Sequence, residues 1–201
     1  MSGSFARIRQ IAAQVRRLSE ANVPSVGQIS VVPVNTLDAQ FAERLALCLE
    51  ERFLLTCVVE RTLRVPRTAL NSVRKQMFFN TLQSRVVLAP VAENAIRLAI
   101  TDFDLYKTSH QFVFGDASEE QRIAIVSMHR LRNEFYGERA DSNLLFQRTL
   151  KEAVHDLGHA FGLKHCYNAR CAMYFSNSIY DTDNKLSHFC DGCEKKVRAN
   201  H

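Results

Sequence analysis

The sequence predicts an α/β protein built on a mixed sheet, and two observations carry that prediction. Runs that alternate apolar with polar residues, or that are rich in β-branched ones, are interleaved with stretches of helical periodicity. One of those helical stretches also has a complete apolar stripe, because Leu150, Val154, Leu157 and Phe161 recur at intervals of four, three and four residues. At 201 residues and 46% hydrophobic composition the chain can bury one sizeable core, and no repeat or low-complexity linker divides it.

Taken in order, residues 5–20 read as an amphipathic helix with Ile8, Ile11, Val15 and Leu18 at helical spacing, ended by Val23-Pro24. Residues 28–34 alternate and are β-branched, so they predict a first strand with Pro33 near its end. Thr36 or Asp38 then caps a helix to about Phe53, with Phe41, Leu45 and Cys48 or Leu49 turned inward. Residues 56–65 predict a second strand closed by Pro66, and residues 67–84 a helix whose continuation over 85–88 is either its last turn or a short strand. Ile96, Leu98 and Ile100 mark a strand over 95–101; further strands are expected over 111–114 and 122–128. Tyr136-Gly137 and Asp141-Ser142-Asn143 form a turn-rich start to the helix that carries the apolar stripe.

Formal charge is +5, from 26 basic and 21 acidic side chains, and it is dispersed. Apart from a short cluster at Lys195, Lys196 and Arg198 there is no basic and aromatic motif, which argues against a nucleic-acid partner. Arg7, Arg9, Arg16 and Arg17 interrupt the beginning of the chain, so it lacks the apolar centre of a secretory signal, and no run approaches the ~18 apolar residues of a membrane span. The expectation is a soluble cytoplasmic protein.

The chemistry is concentrated between residues 155 and 193. His155 and His159 lie one helical turn apart, about 40° round the axis, so both imidazoles can reach one ion. Gly162 suits a left-handed helix end that folds the chain back and brings in His165. Three nitrogens leave one tetrahedral position open, the pattern of a catalytic zinc. At about 100° per residue the histidine pair points roughly opposite the apolar stripe, toward a cleft. Cys166 and Cys171, then Cys190 and Cys193, form two close pairs that suit a structural zinc where thiols are kept reduced. Cys48 and Cys57 fall within the predicted helix and strand and are expected to be small core residues.

These positions resemble the archaemetzincin family of zinc metallopeptidases. Its pattern is H-E-x-x-H-x-x-G-x-x-H followed at once by a cysteine, a second cysteine, a methionine two residues on and a terminal C-x-x-C. Here those places are taken by His155, His159, Gly162, His165, Cys166, Cys171, Met173, Cys190 and Cys193, with 16 residues between Met173 and Cys190, about one fewer than the family spacing. The resemblance implies a metzincin-like mixed, mostly parallel sheet in a single domain over 1–201. Residues 1–162 would form the α/β part with the active-site helix, and 163–201 a short zinc-bound C-terminal part. It implies two Zn²⁺ per chain, one catalytic and one structural, and Met173 as the methionine turn beneath the histidines. Its partners would be peptide or protein substrates, laid along an exposed strand edge around residues 112–115.

One position departs from the pattern. Asp156 stands where the family has the glutamate that takes a proton from the metal-activated water. Aspartate has the same acid but reaches about 1 to 1.5 Å less far. Three readings follow: Asp156 is a working general base, the chain has lost hydrolysis and keeps a zinc-dependent peptide- or protein-binding role, or another carboxylate assists. Glu152 projects to the same face of the helix, as a neighbour of the ligands or a salt-bridge partner. Zinc-dependent peptide hydrolysis is the function expected, with hydrolysis of a non-peptide amide as a further enzymatic reading.

Overall fold

The computed structural model describes residues 26–200, so the helix expected over residues 5–20 lies outside the described part. A five-stranded sheet organises it, formed by β1 (Gln28–Pro33), β2 (Thr56–Val59), β4 (Ala95–Thr101), β7 (Gly115–Ser118) and β8 (Ile123–Ser127) in the order β2-β1-β4-β8-β7. Three of its four pairings are parallel and the last, between β7 and β8, is antiparallel. A smaller sheet joins β3 (Met77–Phe78), β5 (Leu105–Lys107) and β6 (His110–Val113).

Strand periodicity divides the core into two layers. Ile29, Val31, Ile96, Leu98, Ile100, Ala124 and Val126 face helices α1 (Ala39–Phe53) and α3 (Ser142–Ala160), where Leu45, Leu49, Phe53, Leu150, Val154 and Leu157 meet them. Val32, Ala99, Ile123 and Ile125 point the other way, onto Met77, Phe79, Leu82 and Val86 around α2 (Phe79–Val87). Burial on both faces explains why the central strands read as nearly continuous apolar runs. Cys48 and Cys57 are half-buried against the first layer, and burial pushes the Cys57 thiol up to about 12, as for an inert core thiol. Among the described residues no helix is long and apolar enough to cross a membrane.

Asp38 caps α1, accepting from the Phe41 N–H at 2.9 Å. Two expectations are corrected. The second strand stops at Val59 because Pro33, the next β1 residue facing it, has no N–H to donate; pairing resumes only at Leu63, whose N–H donates to the Pro33 carbonyl at 2.8 Å. No helix spans 67–84: the Asn71 side chain accepts from the N–H groups of Val73 and Arg74, Lys75 is left-handed, and α2 starts only at Phe79. The strand expected over 111–114 is present as β6, in the small sheet, and the unexpected strand β7 follows it at one edge of the large sheet.

Asp141 accepts from the Leu144 N–H at 2.9 Å and starts α3, which crosses the large sheet beside β7 and β8. After it the chain forms two short helices, α4 (Ile179–Asn184) and α5 (Asp191–Ala199).

Candidate metal centre and cleft

The sequence folds three histidines onto one point. His155 and His159 leave the same side of α3, and their Nε2 atoms are 3.1 Å apart. The helix then ends as expected: Gly162 has φ +84°, and the Leu163 N–H donates to the Gly158 carbonyl at 2.9 Å. That reversal brings the His165 ring to 5.4 and 4.7 Å from the other two, and the three ligand atoms lie within 4.8 Å of one another.

Hydrogen bonds settle the tautomers. His155 Nδ1 is 2.8 Å from the Ala172 carbonyl and His159 Nδ1 is 2.8 Å from that of Leu163. A carbonyl only accepts, so each Nδ1 carries the proton and each Nε2 presents a lone pair to the other. Burial, reinforced by Lys185 and the neighbouring rings, lowers His155 well below the usual imidazole range, and burial is also the main cause that lowers His159 and His165. Neutral rings with facing lone pairs repel one another unless a cation lies between them, so the donor set fits a metal such as zinc.

Met173 is fully buried beside Gly158 of α3, and its carbonyl accepts from the Cys166 N–H at 2.9 Å. Gly158 makes the fit possible, since a Cβ there would collide with the Met173 sulfur and press on Phe189. The sequence held a clue in Gly158: glycine inside a helix costs about 1 kcal/mol against alanine, so it needs a packing reason. Gly158→Ala is therefore expected to cost about 1–3 kcal/mol in overpacking against Met173, offset in part by ~1 kcal/mol of helix propensity, and to read as a lower melting temperature together with weaker metal retention.

The four cysteines converge as well. Their sulfurs lie within 4.8 Å of one another, with Cys166 and Cys190 at 3.8 Å, and all are free thiols. The Cys193 backbone N–H holds Cys190 down to about 7, while burial pushes Cys171 and Cys193 up. As thiolates, four sulfurs this close would need a cation, and a tetrahedral zinc suits them. His165 and Cys166 are consecutive, so one peptide link joins the two clusters.

A cleft of about 600 Å³ is lined by the three histidines together with Gly115, Asp116 and Ala117 of β7 and Phe175, Ser176 and Asn177. The residues expected along it, 112–115, all line it, and the lining continues into β7 (Gly115–Ser118) through Asp116 and Ala117. Asp156 also lines the cleft. Its Oδ2 is buried without a hydrogen-bond partner and occupies the place a side chain at position 115 would fill. Burial, then Glu152 and Asp116, push its carboxyl well above the usual range, against the opposing effect of Lys185 and Lys107. Glu152 is committed elsewhere: its Oε1 is 3.0 Å from Lys185 Nζ and accepts from Thr182 Oγ1 at 2.8 Å. Neither Gly115 nor Lys185 carries a local sequence signal for these roles, because both contacts are long-range.

The pattern of Peptidase family M54 matches residues 59–199. An archaemetzincin of Thermococcus kodakarensis is 55% identical over 103 residues, which is 51% of this chain and 55% of that protein. The chain thus spans about half the length of the first curated relatives it matches. An archaemetzincin of Methanocaldococcus jannaschii is 37% identical over 171 residues, covering 85% of this chain and 93% of that one. The crystal structure of a zinc-dependent peptidase from Methanocorpusculum labreanum superposes with a TM-score of 0.74 at 28% identity, over 84% of this chain and 99% of the other. Matched by the family pattern from β2 to α5, and aligned almost end to end with an archaemetzincin, the chain belongs to Peptidase family M54.

Proposed function

We propose that the protein is a zinc-dependent peptidase. The observation that carries this reading is the convergence of three histidines, two of them with Nε2 lone pairs turned to one another, in a cleft bordered by a strand edge. His155, His159 and His165 would hold the catalytic zinc, and Cys166, Cys171, Cys190 and Cys193 a structural one. Zinc at the histidines would supply polarisation of a carbonyl and a lowered water pKa. The protein's own residues do the rest. The outer edge of β7 offers backbone N–H and C=O groups to an extended peptide, fixing its register. Phe175, 4.8 Å from the His165 ring, adds an aromatic face to the cleft. Asp156 accepts the proton of the attacking water and returns it to the departing amine.

A peptide substrate is favoured over other amides by the strand edge, which is complementary to main chain. The alternative of a binding module without hydrolysis rests on Asp156, whose Oδ2 is wedged against Gly115 with no partner. Turnover of a broad peptide panel by the zinc-loaded protein, abolished by a chelator, decides between them. Elemental analysis of the reduced, folded protein should find two zinc equivalents, and a moderate chelator should remove the one at the open histidine set first. A single equivalent would dismiss the two-site assignment.

A further inference from the structure

We infer that Glu152 and Lys185 are positioning residues: their buried pairing holds the cleft wall of residues 174–184 against α3 and so sets how tightly a substrate is gripped. The kinetic part of this inference rests on the peptidase reading; the placement of the wall does not.

The wall has little apolar anchorage. Ile179 is its buried hydrophobic residue, while Phe175 and Tyr180 are exposed. Polar ties do the work instead, and they come from one face of α3, at positions i, i+3 and i+4. Arg148 is bidentate to Asp183, with both contacts at 2.7 Å, and Lys151 Nζ donates to the Asp183 carbonyl at 2.7 Å. Glu152 gathers the remainder on a single oxygen: Lys185 Nζ at 3.0 Å, Thr182 Oγ1 at 2.8 Å and Ser176 Oγ at 3.2 Å. Lys185 Nζ also donates to the Tyr174 carbonyl at 3.4 Å. Its side chain is 0% exposed, and that of Glu152 is 4% exposed.

A fully buried lysine is unusual, and its desolvation is offset only by good partners. Lys185 has Glu152 and the Tyr174 carbonyl, and through Glu152 the pair reaches both ends of the wall: Ser176 next to Phe175, and Thr182 at the far end. Glu152 lies one turn before His155, so the clamp ties the wall to the turn of α3 beside the ligands. Releasing it would let Phe175, Ser176 and Asn177 move relative to β7, changing the width of the cleft while leaving the histidines on α3 in place.

The test compares wild type, Lys185→Met and the double variant Glu152→Gln/Lys185→Met, all zinc-loaded. Removing one charge leaves the other buried and unpaired, whereas removing both lets the fold recover. Backbone amides of residues 174–184 in the double variant should exchange with deuterium about tenfold faster or more, with those of β4 and β8 unchanged. With a cleavable peptide the loss should fall on KM rather than kcat. Exchange as slow as wild type over 174–184, or exchange that rises equally in the central strands, would overturn the inference. Accelerated local exchange without turnover of any peptide would instead leave the clamp standing and count against the peptidase reading.

Discussion

Cys190→Ser is expected to cost several kcal/mol of stability, far more than His165→Ala, because the C-terminal part depends on its sulfur cluster. Helix α5 has nine residues, of which only Cys193 and Val197 are buried. Its other attachments are polar: Arg198 donates to the carbonyls of Phe53 and Arg52, and Asn200 Nδ2 donates to the Phe161 carbonyl at 2.7 Å. A nine-residue helix with one apolar anchor is not stable on its own. Structural zinc supplies on the order of 10 kcal/mol of apparent binding free energy in small zinc domains, and this becomes folding free energy. Losing a large part of it should lower the melting temperature by roughly 10 °C or more, at ~2–4 °C per kcal/mol for a chain of this size. His165, by contrast, is exposed, and its removal leaves the layers around the sheet untouched. Because Cys166 follows His165 directly, Cys190→Ser should also loosen zinc at the histidines. Calorimetry in the presence of zinc, with metal content measured on the same samples, checks both effects; equal melting temperatures would mean that the thiols are not structural ligands.

What the sequence made legible was local. The histidine spacing, Gly162 and the Asp38 and Asp141 caps all act within a turn or two of the chain, and each is realised. The strand over residues 95–101 was readable because Ile96, Leu98 and Ile100, all on one layer, alternate with the polar or small Arg97, Ala99 and Thr101. Failures came where a side chain or a distant strand decided the outcome. Asn71 diverts the backbone donors of a stretch that has helical propensity, and the missing N–H of Pro33 shortens a strand 26 residues away in sequence. The strand over 111–114 was recognised, but β7, which starts at Gly115, was not, because it is defined by its pairing with β8 while β6 pairs with β5. The same holds within the site. Lys185 looks like an ordinary surface lysine until Glu152, 33 residues earlier, is folded against it.

Asp156→Ala is expected to reduce turnover by about 10² to 10⁴ while both zinc equivalents remain, and Asp156→Glu to raise it. The side chain lies on α3 about 100° from His155 and about 60° from His159, beside the pair that would hold the ion, so its length decides how close the carboxyl comes to the reacting water. Aspartate stops short: its Oδ2 rests in the space left by Gly115, buried and unpartnered. Burial there favours the protonated acid, which cannot act as a base, although a zinc dication nearby would favour the anion. Glutamate adds about 1 to 1.5 Å of reach, and position 115 has no side chain to block it. Its carboxyl can pass the strand toward the open cleft, where it ionises more readily. Misplacement by about 1 Å can cost a hundredfold, so restoring the reach should recover part of that factor. The three zinc-loaded proteins, measured on one cleavable peptide, separate the readings. An alanine variant as fast as wild type removes Asp156 from the chemistry, and a slower glutamate variant means that β7 or His165 is already set for aspartate. If none of the three cleaves any peptide of a broad panel, the cleft binds chains without cutting them.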